Sequence, residues 1–454
     1  MLLAVAAVLA VSSSTLADVD AFVRAEMERQ EVPGVAVAIV RGGEVAEARG
    51  YGLANVEHQV PVKAETIFQS GSVGKQFTAA AVMLLVEDGK LALSDSIGKF
   101  FPGAPPAWAG ITVRHLLTHT SGIPDYTTDA LDYRRDYTED ELAKLAYGLK
   151  LEFSPGARWS YSNTGYVLLG ILVGRVCGRF YGDLLAERVF APLGMKTARV
   201  ISEEDIVPNR AAGYRLVDGA LKNQEWVAPK LNTTADGSLY LSVLDLVAWD
   251  RGLRAGAVLK PASWDEVYTP VRLSSGKTFP YGFGWDLEER AGEKVRRHGG
   301  AWQGFKSEIA RFVGSDLTVV VLANLAEADP ERFTEGIVSR VEPKLAEPEL
   351  APIADTEPQV TARLRELLEA AAKGKLDPED FAHVRAGFFP EGAKGLQANL
   401  AGLGPPTAVS VLRRVDLGDD RVHTYDVSYG AKAFRVVLEL APDGKIAVLS
   451  VGPR

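Results

Sequence analysis

The chain has 454 residues, more than one hydrophobic core usually organises, so we expect one large domain and one smaller domain. Its hydrophobic content of 47% and charged content of 24% are ordinary for a globular protein. The net charge of −9 and the lack of clustered Lys and Arg in the sequence argue against a nucleic-acid partner.

The N-terminus carries an uninterrupted apolar run over residues 2–11, followed by mostly small residues up to Ala17. The run is too short to span a bilayer but fits the central region of a signal peptide, with Ala17 at the cleavage site. We therefore expect residues 1–17 to be a signal peptide, the protein to be secreted or periplasmic, and no stable membrane span. Because no Lys or Arg precedes the run, an ordinary apolar terminus remains the alternative.

The first elements of the chain are a helix, a hairpin and a second helix. Residues 18–32 have amphipathic spacing, and two strands at 35–40 and 44–48 are joined through the turn signal Gly42-Gly43. A helix is predicted from Ser72 to residue 88, with Gly89 as its C-terminal stop. Helical segments broken by Gly and Pro then fill the middle of the chain.

The β signal returns late in the large domain. Residues 281–285, 307–312 and 317–323 read as strands, and residues 337–341 read as a closing helix. Strands at both ends of the domain with helices between them predict an α/β (α+β) fold. Its antiparallel sheet would be flanked by helices and interrupted by a helical insert.

A second, smaller unit follows a proline-rich segment. Residues 343–358 contain four prolines and no periodicity, which is typical of a linker. A helix at 360–372, a second helix opening at Asp377-Pro378 and alternating segments at 408–415, 421–428, 432–440 and 445–451 follow. We therefore predict a large domain at 18–342, a linker at 343–358 and an accessory α+β domain at 359–454 without a catalytic constellation.

The most informative motif is Ser72 followed by Lys75 at the start of the predicted helix. The helix N-terminus favours an anion near Ser72, and residues three apart lie on the same helix face. A desolvated lysine can have its pKa lowered enough to accept the serine proton. This arrangement activates a serine nucleophile without a histidine and predicts a hydrolase that works through an acyl-enzyme.

Two further motifs follow in order, a Tyr-x-Asn and a His-Gly-Gly. The phenol of Tyr161 can pass a proton to the leaving group, and Asn163 can point to the same site. His298 begins a predicted strand edge at which the Ala301 N–H would be a second oxyanion donor, and Gly300 lets the substrate approach closely. We therefore predict Asn163, His298, Gly300 and Ala301 as substrate-binding or oxyanion residues.

With these motifs the chain resembles the serine β-lactamase and penicillin-binding superfamily, in its class C-like branch of carboxypeptidases, D-aminopeptidases and esterases. The resemblance covers about residues 18–342 and includes the stretches 111–124, 161–170, 281–285 and 319–324. It implies a β-lactamase/transpeptidase-like fold, with Ser72 as the acylated nucleophile, Lys75 as its activator and Tyr161 as the general acid/base. His119 is implied to be structural.

The third motif departs from the family pattern, which is Lys-Thr-Gly in the lactamases of this branch. Gly299 offers no hydroxyl, and His298 is at most partly charged near neutral pH. This weakens recognition of a substrate carboxylate and favours esters, amides or peptides, with β-lactam hydrolysis only weak. The expected partner is a small-molecule or peptide substrate.

Neither a metal nor another cofactor is expected from the sequence. Cys177 is the only cysteine and lies in an apolar helical run, so it is predicted to be buried and inert. His115 and His119 are four residues apart but lack the surrounding HExxH pattern of a zinc site.

Of two alternative interpretations, an α/β-hydrolase with a Ser-His-Asp triad is discounted and a non-hydrolytic protein stays open. Residues 70–74 come close to the G-x-S-x-G motif of an α/β-hydrolase, but the first glycine is absent and no βαβ alternation surrounds the motif. The other alternative is a non-hydrolytic protein that binds or senses penicillin or peptidoglycan peptides. The sequence does not indicate an oligomeric state or a role for the accessory domain.

Overall fold

The computed structural model describes residues 11–125, 131–200, 204–382 and 388–453. The α-helices are α1 Ser13–Gln30, α2 Lys75–Glu87, α3 Val113–Leu117, α4 Glu139–Tyr147, α5 Asn163–Cys177, α6 Tyr181–Leu185, α7 Ala191–Leu193, α8 Val243–Arg254, α9 Pro261–Val267, α10 Pro330–Val341, α11 Pro358–Ala372 and α12 Ala393–Leu400. The strands are β1 Gly34–Arg41, β2 Glu44–Asn55, β3 Val60–Pro61, β4 Phe68–Gln69, β5 Arg199–Val200, β6 Tyr214–Val217, β7 Ala220–Asn223, β8 Leu239–Leu241, β9 Val271–Arg272, β10 Thr278–Phe279, β11 Asp286–Arg290, β12 Glu293–Trp302, β13 Phe305–Phe312, β14 Leu317–Ala323, β15 Ala408–Leu417, β16 Asp420–Tyr429, β17 Lys432–Leu440 and β18 Ile446–Pro453.

The largest sheet joins strands from residues 34–61 with strands from residues 286–323. Within the described residues it has seven strands in the order β11-β12-β13-β14-β1-β2-β3, and the neighbouring strands are antiparallel. Strands β1 and β14 pair from Val35↔Ala323 to Arg41↔Leu317. The predicted fold class, an antiparallel sheet with helices between its first and last strands, is confirmed.

Alternation along β1 gives the sheet two buried faces. Val35, Val37 and Ile39 belong to a core cluster with residues of α1 and α10. Ala36, Ala38 and Val40 point to the opposite face, into the larger core formed with α2, α5 and α8. Because both faces are covered, the strand appears in the sequence as a continuous apolar run. The layered sheet is the rigid base on which the residues around Ser72 are held.

Two predicted elements are wrong. Residues 281–285 form an irregular segment, and β11 begins only at Asp286. Gly284 has φ +75°, and a Cβ there would lie 2.9 Å from the backbone of Lys75 and Gln76, so the chain passes directly against the start of α2. The second helix expected from Asp377 is a single turn at Pro378–Asp380, and the next helix is α12.

The remaining C-terminal residues form a small domain with its own core. Strands β15 to β18 make an antiparallel sheet in sequence order, and α11 and α12 cover it through residues such as Leu364 and Leu400. Apart from a short turn at Pro343–Leu345, the segment between α10 and α11 has no regular structure. The proposed domain boundaries themselves stay a prediction.

The predicted signal peptide falls mostly outside the described residues, which begin at 11. Ala17 lies within α1. Cleavage and export therefore stay predictions. Among the helices that the structure describes, none combines the length and apolarity needed to cross a membrane.

A buried ion pair ties α8 to the central sheet. The guanidinium of Arg311 on β13 contacts Asp250, whose side chain is 1% exposed and also accepts a 2.7 Å hydrogen bond from Thr318 Oγ1. Asp250→Ala would leave the Arg311 charge buried without its partner, so we expect it to lower the free energy of unfolding by about 3–5 kcal/mol. Urea denaturation followed by circular dichroism measures this loss.

The matched control for this prediction is the exposed pair of Arg179 and Glu187, whose side chains are 37% and 60% exposed. Glu187→Ala is expected to change stability by less than about 1 kcal/mol. Equal effects of the two substitutions would show that the Arg311–Asp250 pair does not support the core.

Candidate active site

Ser72 lies in a 3₁₀ turn, Gly71–Gly74, that leads directly into α2. Lys75 is the first residue of the α-helix, and its Nζ donates a 2.9 Å hydrogen bond to Ser72 Oγ. The predicted pairing of the two side chains is therefore present in the structure, although Ser72 precedes the α-helix by one turn of tighter helix.

The ammonium group of Lys75 is fully buried, with an exposed fraction of 0%. Burial lowers its pKa to about 8, against the opposing charges of Asp236 and Asp125. Near neutral pH a minor fraction of the Lys75 side chains is therefore a neutral amine, and this form can accept a proton. The same Nζ also donates to the backbone oxygen of Asp236.

Asn163 is placed on the lysine by the start of α5. Its Oδ1 accepts a 2.7 Å hydrogen bond from Lys75 Nζ, and its Nδ2 donates to Asp125 Oδ2 at 2.9 Å. The side chain therefore orients Lys75, while Asn163 also lines the cavity next to Ser72. The contacts give Asn163 a positioning role, and its predicted role as a substrate-binding or oxyanion residue stays a prediction.

Tyr161 completes the group around the serine. Its hydroxyl is in hydrogen-bond contact with Ser72, and burial holds its pKa well above the usual value for a phenol. Lys75 Nζ lies 4.9 Å from the centroid of the Tyr161 ring. The phenol is therefore protonated in the resting protein, and it can donate its proton to a leaving group next to Ser72.

The third motif lies on β12, where this strand extends beyond its neighbour β11. The pairing of β11 with β12 ends at Asp286↔Arg297, so residues 298–302 have one edge free of a strand partner. That edge lies against the serine turn, because a Cβ on Gly71 would collide with Ala301 N and one on Gly300 would lie 3.0 Å from Ser72 N. Ser72 and Ala301 therefore lie close together and line the same two cavities, while the predicted oxyanion role of the Ala301 N–H stays a prediction.

His298 does not face the substrate as a cation. Its Nδ1 lies 2.6 Å from Gly299 O and its Nε2 lies 3.0 Å from Tyr281 Oη. Burial, together with the charge of Lys75, lowers the pKa of His298 to about 4. The imidazole is therefore neutral at neutral pH, with its proton on Nδ1 because Gly299 O can only accept.

This assignment fixes a continuous chain of hydrogen bonds through Tyr281. The Tyr281 hydroxyl must donate to His298 Nε2, so it accepts from His119 Nε2 at 3.2 Å. His119 Nδ1 in turn accepts from the Ser162 N–H at 3.1 Å. His119 also packs on the Tyr161 ring at 4.3 Å between centroids. The chain joins the second motif to the third and gives His119 the structural role that the resemblance implied.

Two cavities meet at Ser72. One of about 600 Å³ is lined by Ser72, Tyr161 and the third motif, and extends to Asp286, Glu288 and Glu331. The other, of about 280 Å³, contains Ser72, Asn163, Tyr133 and Trp302. A scissile bond at Ser72 would therefore place one part of the substrate in each cavity.

The larger cavity has an excess of carboxylates. Its lining includes Asp286, Glu288, Glu308, Asp329 and Glu331, against the cations Arg297 and Lys306. Arg297 is shared among several of them, at 3.0 Å from Glu331 and 3.7 Å from Glu288. Burial raises the pKa of Asp286 and of Glu331 to about 7. Within the described residues, no cluster of His, Cys, Asp and Glu is arranged to hold a metal ion.

A buried serine–lysine pair beside a tyrosine, on a helix flanked by an antiparallel sheet, defines a class of serine hydrolases. The beta-lactamase family model matches residues 19–340, and the chain belongs to this family. It is 30% identical over 317 residues to penicillin-binding protein 4* of Bacillus subtilis, a match that covers 66% of this chain and 70% of that protein.

A second relative is the D-aminopeptidase of Gluconobacter oxydans, 30% identical over 321 residues. The match covers 69% of this chain, which spans 60% of that D-aminopeptidase.

Solved structures give the same assignment. The octameric penicillin-binding protein homologue from Pyrococcus abyssi aligns with a TM-score of 0.66 and 26% identity, over 93% of this chain and 90% of that one. D-amino acid amidase from Ochrobactrum anthropi SV3, in complex with D-phenylalanine, aligns with a TM-score of 0.64 and 25% identity, over 73% of this chain and 99% of that one.

Proposed function

We propose that this serine hydrolase cleaves amides or short peptides that carry a free N-terminal amine, of the D-amino-acid type, through an acyl-enzyme on Ser72. The observation that carries the proposal is the 2.9 Å contact between Ser72 Oγ and a fully buried Lys75 Nζ. The relatives named D-aminopeptidase and D-amino acid amidase support an amide substrate.

The proposed reaction uses groups already placed around the serine. Ser72 Oγ attacks the carbonyl carbon while its proton moves to the neutral amine of Lys75. The N–H groups of Ser72 and Ala301 stabilise the oxyanion. The C–N bond then breaks as the leaving amine receives a proton through Tyr161, and water hydrolyses the resulting ester, which regenerates the Ser72 hydroxyl and releases an acid.

The charge of the larger cavity supports recognition of an ammonium group. Asp286 and Glu288 lie on β11 next to the open end of β12, and Asp286 is near enough to contribute to the raised pKa of Tyr161. The neutral His298 stands where the lactamase motif has a cationic residue, so position 298 itself offers no positive charge to a substrate carboxylate. An amine in this cavity would find carboxylates, whereas a carboxylate would be repelled.

The experiment measures Ser72 acylation and turnover separately. Intact mass spectrometry after a fluorophosphonate should show one adduct that Ser72→Ala abolishes, and D-phenylalanine p-nitroanilide should be hydrolysed faster than its N-acetyl derivative. Absence of an adduct would overturn the serine mechanism. Adducts with penicillin or anilides that never turn over would instead support a binding or sensing protein.

Asp286→Asn tests the recognition of the amine. Loss of a charge-assisted hydrogen bond of about 1.5–3 kcal/mol should lower kcat/KM for the free-amine anilide about 10–100-fold. Asp286 ionises near pH 7, and an α-amino group loses its proton near about pH 8. The wild-type enzyme should therefore prefer the free-amine anilide over the N-acetyl anilide most strongly between these two pH values. The N-acetyl anilide is the control, and an equal loss on both substrates would show that Asp286 does not read the amine.

A further inference from the structure

The C-terminal domain contacts the catalytic domain through the tip of one hairpin. Strands β15 and β16 are joined by the two-residue turn Gly418-Asp419, in which Gly418 has φ +58°. The first residue of β16, Asp420, pairs with Arg158 Nη2 at 2.5 Å, and the two side chains are only 13% and 19% exposed. Such a shielded pair is screened little by solvent.

An apolar contact accompanies the ion pair. A Cβ on Gly418 would lie 2.9 Å from Leu273 Cδ1 and 3.6 Å from the Phe279 ring, so the hairpin tip packs on Phe279 of β10 and on Leu273, which directly follows β9. Phe279 stacks in turn on Trp159, with ring centroids 4.2 Å apart and an interplanar angle of 10°. The hairpin therefore reaches Trp159 through one intervening ring.

Both contacts end at the segment that carries Tyr161. Arg158 and Trp159 come directly before the second motif, and the Trp159 ring lies 6.4 Å from that of Tyr161 and 5.7 Å from that of Tyr281. Between α4 and α5 this segment has no helix or strand. Its backbone is held by isolated bonds such as Ser160 N to His119 O at 2.9 Å. Fixing an irregular segment costs conformational entropy, and this cost must be offset by contacts with other parts of the protein. The contacts of Arg158 and Trp159 therefore help to determine where the segment lies.

We propose that the C-terminal domain clamps the Tyr161 segment, and that Asp420 is a positioning residue that acts through Arg158. The inference rests on the proposed role of Tyr161 in proton transfer. It gives the accessory domain a function in catalysis although none of its described residues lines the two cavities at Ser72.

The test is Asp420→Asn in the full chain, assayed with D-phenylalanine p-nitroanilide, whose leaving amine needs the proton that Tyr161 is proposed to deliver. A small displacement of Tyr161 should lower kcat about 10–100-fold with little change in KM. The melting temperature of the full chain should stay at the wild-type value. Asp416→Asn is the matched control. Asp416 lies on the same hairpin, pairs only with Arg421 among the described residues and is 54% exposed, so activity should stay at the wild-type level.

A double variant of Asp420→Asn and Tyr161→Phe distinguishes an effect on the position of Tyr161 from a general destabilisation of the protein. If Asp420 acts through Tyr161, adding Asp420→Asn to Tyr161→Phe should cause no further loss, whereas additive losses would overturn the proposal. Wild-type activity of Asp420→Asn would also overturn it. If Tyr161→Phe alone is fully active, the proposed proton transfer has failed, and this outcome is distinct from failure of the clamp.

Discussion

Replacing Lys75 with methionine is expected to slow acylation of Ser72 by about 1,000-fold, within the range by which positioned acid–base groups accelerate reactions. The methionine has a similar length but no basic nitrogen, so the Ser72 proton loses its acceptor at 2.9 Å. The rate of reaction with a fluorophosphonate, followed by intact mass, measures this step without contributions from deacylation or substrate charge.

The pH dependence of the wild-type rate follows from the lysine. Because the base is the neutral amine and the pKa of Lys75 is lowered to about 8, the acylation rate should be low below pH 7 and rise to a plateau above pH 8–9. His298, with its pKa lowered to about 4, should add no second step in this range. A neutral reagent avoids the ionisation of Asp286 near pH 7.

Lys75→Arg is the matched control for this prediction. Arginine keeps a positive charge near Ser72 and donors for Asn163, but it cannot give up its proton at accessible pH. It should therefore fail to restore activity, although it should preserve stability better than methionine. A methionine variant that retains most of the wild-type rate would contradict the lysine mechanism and support a histidine base, as in the discounted α/β-hydrolase alternative.

The pairing of Ser72 with Lys75 was predictable because it is local. Three residues separate the two side chains, and helical geometry alone brings them to one face. The same reasoning could not place Asn163, which meets Lys75 across 88 residues of sequence. The sequence indicates that the Asn163 side chain lies near the site. It does not indicate that the Oδ1 atom binds Lys75 while the Nδ2 atom binds Asp125.

Tyr281 is the functional residue that sequence reasoning missed. In the sequence, residues 281–285 indicate only a strand and the family resemblance, and neither assigns a role to the Tyr281 hydroxyl. This hydroxyl joins His119 to His298, 162 and 17 residues away along the chain. Such a network is set by the packing of β12 and the serine turn on the same core, and residue type alone could not predict it.

Gly300→Ala is expected to lower kcat at least about 100-fold, because it disturbs the proposed oxyanion hole. A methyl group on Gly300 would overlap Ser70 O and lie 3.0 Å from Ser72 N, so β12 and the serine turn would have to move apart. That movement separates the N–H groups of Ser72 and Ala301. Overpacking of this kind also costs about 1–3 kcal/mol of stability, which a thermal melt would detect.

Gly299→Ala provides the comparison, since the two glycines are neighbours on the same strand. The nearest atom to a Cβ on Gly299 is Ser307 O at 3.8 Å, an ordinary contact, so this substitution should affect kcat far less. Equal losses in the two variants would mean that any added side chain disturbs this strand. The close approach of Gly300 to Ser72 would then not be the cause of the loss in Gly300→Ala.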